Sequence, residues 1–133
     1  MPQEIEVLYI LPAIRRGFSS ALKELGLSQK EIAGLLHVTE AAVSQYLSSK
    51  RANRVIFDSK ILAEIRRAAK KIAKGEQPFL RESQRITQLA LSRGITCNAH
   101  IKYGCAPEGC DVCFAGHPSR REVELNFARK ARA

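Results

Sequence analysis

Tryptophan is absent, and aromatic residues make up only 6% of the 133-residue chain. A single-strand binder that stacks bases on aromatic platforms needs more than this. No apolar run approaches the roughly eighteen residues of a membrane helix, so no membrane partner is expected. There is no Ser/His/Asp set, no paired-carboxylate site and no glycine-rich phosphate loop, and the acidic residues are scattered over helix surfaces. An enzyme is therefore not expected. Strand-like alternation and internal repeats are also missing. Residues 1–18 place acidic side chains ahead of the apolar stretch and offer no small-residue cleavage site, which argues against a secretory signal and for a cytoplasmic protein.

What the chain does have is a sizeable apolar fraction, 45%, and a formal net charge of +9. The first excludes wholesale disorder. The second suits a polyanion, though it also suits plain solubility. The charge is uneven: residues 55–96 carry nine basic and four acidic side chains, whereas residues 1–54 carry seven and five.

The segment SQKEIAGLLHVTEAAVSQYLSSK, residues 28–50, is the most informative part of the chain. Ser28 and Glu31 form an S-x-x-E capping box that starts one helix. Thr39 caps a second, running through Glu40, Ala41, Ala42, Val43, Ser44, Gln45, Tyr46 and Leu47. Leu36-His37-Val38 is the turn. Ile32, Leu36, Val38, Val43 and Tyr46 or Leu47 are the apolar positions, and Ala33 is small where the helices cross. Position by position, this resembles the helix-turn-helix of the lambda-repressor/Cro class. His37 departs from that pattern, standing where the family usually has glycine. The turn needs a positive backbone dihedral there, which histidine tolerates better than most residues. The same residues fit a helical hairpin that never meets DNA.

The remaining pattern is helical. Ile5, Leu8, Tyr9, Pro12, Ala13, Phe18, Leu22 and Leu25 trace an apolar face over residues 4–25, with Gly26 as C-cap. Pro12 either kinks that helix or begins it. A third long helix, about Phe57 to Lys74, carries Phe57, Ile61, Leu62, Ile65, Ala68, Ala69 and Ile72 at helical spacing. This stripe is a candidate homodimer seam or intrachain core. Arg66, Arg67, Lys70, Lys71 and Lys74 lie opposite, as a solvated face or a contact for flanking phosphates. A fourth helix covers Pro78 to Arg93, with Phe79, Leu80, Ile86, Leu89 and Ala90 buried and Gly94 as its stop.

Residues 95–118 change character, gathering glycine, proline and all four cysteines: Cys97, Cys105, Cys110 and Cys113. A second capping box, Ser119 and Glu122, starts a last helix over about Arg120 to Ala131. Four thiols this close in a cytoplasmic protein point to a metal or cluster site. Only Cys110 and Cys113 form a short knuckle of the zinc type. The C-x4-C-x2-C run matches a plant-type ferredoxin spacing. An iron–sulfur cluster is favoured, four-iron over two-iron, with zinc as the alternative. His100 and His117 flank the set.

The whole chain resembles archaeal transcriptional regulators that pair an N-terminal helix-turn-helix with a C-terminal cysteine cluster. LPAIRRGFSSALKELGLSQKEIAGLLHVTEAAVSQYLSSKR and the late GCDVC carry that resemblance. It implies a regulator whose cluster senses redox state, oxygen, iron or sulfur supply. The expected fold is all-α: a helix-turn-helix domain over residues 1–55, a helical dimerisation or linker region over 56–94, and a cysteine-rich loop with a short C-terminal helix over 95–133. The expected partners are a double-stranded DNA operator and a second copy of the chain. Gln45 fits adenine, Ser44 a base edge or phosphate, and Ala41 a thymine methyl. Glu40 shares that surface. Thr39, Ser48, Lys50, Arg51 and Arg54 are placed for phosphates.

Overall fold

A computed structural model describes residues 2–48 and 55–103, and these are all-helical. Helix α1 (Pro2–Ile5) passes through a π-helical turn (Glu6–Ile10) into α2 (Leu11–Glu24). Next come α3 (Gln29–Leu36), α4 (Glu40–Leu47), α5 (Ser59–Ala73), α6 (Phe79–Ser92) and α7 (Ile95–Tyr103). The expected last helix, from about Arg120, lies outside the described residues.

Pro12 explains the π turn. A proline removes one backbone donor and its ring crowds the carbonyl four residues back. Pro12 stands in the first turn of α2, as one of the two expected placements had it. The turn before it widens, the Leu11 N–H donating to the Glu6 carbonyl five residues back. That extra residue moves the buried face. Ile5 and Ile10, five apart, both point inward, while Leu8 is 65% exposed. The expected apolar face includes Leu8 and omits Ile10 and Ile14, which are fully buried and stand at four-residue steps with Phe18 and Leu22. Burial at the π turn also pushes the Glu6 carboxyl above its ordinary range.

Helix α2 is the centre of the molecule and packs against α3, α4, α5 and α6. Its Ile14, Phe18 and Leu22 are fully buried, each contributing on the order of 2 kcal/mol of hydrophobic stabilisation. Phe18 meets Phe79 of α6 edge to face at 5.3 Å. Gly17 lets α5 come close: a Cβ at that position would stand 3.0 Å from the Ile65 Cδ1. The α5 stripe of Ile61, Ile65, Ala68, Ala69 and Ile72 is buried in this core. It is intrachain core, not an open dimer seam. One apolar cluster runs from Ile5 to Ala99, through all three of the segments distinguished in the sequence.

Two polar junctions hold α5 and α6 together. Arg85 grips the buried Glu82 at 2.7 Å and reaches Glu64 of α5 at 3.3 Å. Arg93, the C-cap of α6, donates to Asp58, the N-cap of α5, at 2.6 Å. Helix α6 also departs from expectation at Leu80, which is 66% exposed. Leu25 is likewise exposed, because it follows the last turn of α2 beside Gly26.

The segment after Gly94 begins as a helix, not as the expected loop. Gly94 stops α6 with a φ of 78°, yet its carbonyl also accepts the Asn98 N–H and starts α7. Helix α7 packs on α6, α1 and the π turn, with Tyr103 stacked on Tyr9 at 4.8 Å.

Candidate nucleic-acid interface

The helix pair α3–α4 forms from local signals that the structure realises one by one. The Ser28 Oγ accepts the Glu31 N–H at 3.2 Å, and the Glu31 carboxylate accepts the Ser28 N–H at 3.4 Å. The capping box is thus reciprocal. The Thr39 Oγ1 accepts the Ala42 N–H at 3.1 Å and fixes the start of α4. Between them, His37 takes the left-handed conformation, φ 55° and ψ 42°. Its neighbour Val38 returns an N–H to the Ala33 carbonyl at 3.1 Å, closing α3.

Packing then decides which side of α4 faces out. Ala42, Val43 and Tyr46 are buried, and Leu47 is half-buried. Ala33 is buried in the core, and Val38 packs against it. Thr39, Glu40, Ala41, Ser44, Gln45 and Ser48 are all exposed. Six of the nine residues expected to meet DNA thus share one solvent-facing surface. Lys50, Arg51 and Arg54 lie outside the described residues.

The hydroxyls on this surface are partly engaged. Thr39 uses an oxygen lone pair in capping, leaving its hydrogen to donate outward. Ser48 donates to the Gln45 carbonyl at 3.2 Å, leaving its lone pairs. Thr39 therefore suits a phosphate oxygen as donor, while Ser48 suits it only after its hydroxyl turns.

Of the cysteines, Cys97 is described; it sits half-buried in α7 with His100 one turn on. Cys105, Cys110, Cys113 and His117 lie outside the described residues. Among the described residues no three metal-ligating side chains come together. No helix among them is long and apolar enough to cross a membrane.

Sequence reasoning missed the Asp58–Arg93 and Glu82–Arg85–Glu64 junctions. The first had a readable signal, an aspartate just before a helical run. The second had none, since Glu64 and Arg85 are 21 residues apart and only packing joins them. Comparison with protein-family models, curated proteins and solved structures returned no match.

Proposed function

We propose that the chain is a sequence-specific DNA-binding transcriptional regulator, with α3 and α4 as its helix-turn-helix and α4 as the recognition helix. The observation that carries this reading is the outward face of α4. It is narrow, polar and free of large apolar side chains, while the opposite face is locked in the core. A helix held this way can enter a major groove without repacking. Gln45 reads adenine through its amide, Ser44 and Ala41 read neighbouring base edges, and Thr39 and Ser48 take phosphates. Lys50, Arg51 and Arg54 follow in the sequence as further phosphate contacts. Two copies on a two-fold operator would place their half-sites about 34 Å apart.

The reading extends to Cys97, Cys105, Cys110 and Cys113 as the ligands of an iron–sulfur cluster that modulates DNA binding. Such a cluster supplies one-electron redox chemistry and sensitivity to oxygen. The chain offers a packed route for the coupling. Helix α7, which carries Cys97, rests on α1 and the π turn, and these run unbroken into α2, against which α3 and α4 pack. Ordering or loosening α7 would bias the position of the reader.

Selection of bound sequences from a randomised duplex library tests the DNA reading. The wild type is expected to enrich one motif. Gln45→Ala should lose preference at one base pair per half-site, a change of roughly 1–3 kcal/mol. Recovery of no motif at all would sink the proposal.

A further inference from the structure

We infer that the outward face of α5 binds the phosphate backbone of duplex DNA without reading sequence; this rests on the chain being a DNA-binding protein. The apolar side of α5 is fixed in the core by Ile61, Ile65, Ala68, Ala69 and Ile72. Helical periodicity then forces the cations to the opposite arc. Arg66, Lys70 and Lys74 fall in one row at four-residue steps. Lys60, Arg67 and Lys71 fall in the next. All six are exposed.

Among the described residues this charge is not balanced. The one carboxylate of α5, Glu64, sits at the edge of the arc and is held by Arg67 at 3.1 Å and Arg85 at 3.3 Å. Asp58, just before the helix, is held by Arg93. Among the described residues Lys60, Arg66, Lys70, Lys71 and Lys74 have no ion-pair partner. Glu76, in the turn after α5, is the nearest exposed acid in sequence. Like charges four apart on a helix each cost a few tenths of a kcal/mol, roughly 0.2–0.5. A helix kept only for solubility does not need that cost. The amphipathic α6 shows the alternative, exposing the neutral Gln84 and Gln88 beside Arg81. Among the described residues, the positive charge of α5 is therefore gathered where no ion-pair partner relieves it.

A duplex matches the dimensions. Lys60 and Lys74 stand about 21 Å apart along the axis at 1.5 Å per residue. Duplex DNA offers one phosphate per roughly 1.7 Å of its axis. That count covers both strands around the whole circumference, so only some of these phosphates face the helix, and flexible lysine side chains reach them without a fixed register. Contacts of this kind add affinity on any sequence and release counterions.

The test uses the full chain and a random-sequence duplex, with anisotropy titrations across a salt series. In one variant Arg66→Gln, Lys70→Gln, Lys71→Gln and Lys74→Gln are combined; glutamine keeps helix propensity, and all four sites are exposed. Each lost phosphate contact flattens the plot of log affinity against log salt by about 0.9. The variant should therefore be shallower than wild type by roughly 2–4, with its helical circular dichroism kept. A second variant, Lys70→Arg with Lys71→Arg and Lys74→Arg, should retain the wild-type slope. An unchanged slope in the glutamine variant overturns the inference, and if the wild type still enriches a motif, the α4 reader stands without it. A wild type with no salt-dependent binding to any duplex overturns both.

Discussion

His37 is the residue on which the approach of α3 to α4 depends. It is exposed, and its backbone is the left-handed one among the non-glycine residues described. A side chain in that region costs roughly 1–2 kcal/mol that glycine does not incur. His37→Gly should therefore raise stability by about 1 kcal/mol, reduced somewhat by the greater freedom of glycine in the unfolded chain. The expected readout is a melting temperature a few degrees higher. A lower one would mean that the imidazole makes a compensating contact. That the turn needed a positive φ at position 37 was legible from the sequence. So were Ser28, Glu31 and Thr39 as caps, because capping is a contact between residues three apart and needs no tertiary partner.

At the scale of elements, the start of α5 is the joint that holds the second half of the described fold. Asp58 caps α5 through the Ile61 N–H at 3.0 Å and binds Arg93 at the end of α6. Burial alone would raise its pKa. The Ile61 amide and the Arg93 guanidinium outweigh that and hold the carboxyl below its ordinary value of 3.8. The unfolded chain then takes up the proton first as pH falls. The stabilisation is fully present above the ordinary value and disappears as pH drops through the lower, folded one. Asp58→Ala should cost about 1–2 kcal/mol near neutral pH, mostly as a lost cap. In denaturant melts the gap from wild type should narrow below pH 3.8. A gap independent of pH would show that the charge of Asp58 contributes nothing. The helices themselves were readable from periodicity, but α7 was not. Its start is supplied by Gly94, which from the sequence signals a stop.

Across the described fold, the consequential fact is that α3, α4, α5, α6 and the helix bearing Cys97 share one core. A change at α7 therefore has packed neighbours all the way to α4. Metal and acid-labile sulfide analysis of protein purified without oxygen is expected to find iron with matching sulfide. The cluster-loaded protein should then differ from the stripped protein in affinity for the selected duplex. Zinc without sulfide would make the cysteine segment a structural staple. Equal affinity of the two forms would remove the sensing role.

The sequence by itself determined that the described chain is helical, that α3 and α4 begin and turn where they do, and that the cations of α5 lie opposite its apolar stripe. These follow from contacts and periodicities within a few residues. Tertiary structure decided the rest. It decided that the α5 stripe is core against α2 and not a surface for a second copy, since periodicity marks a face as apolar without naming what covers it. It also decided that Ile5 and Ile10 are both inside and Leu8 outside. A proline-induced π turn shifts the helical phase by one residue, and only packing against α2's neighbours reveals which phase is buried.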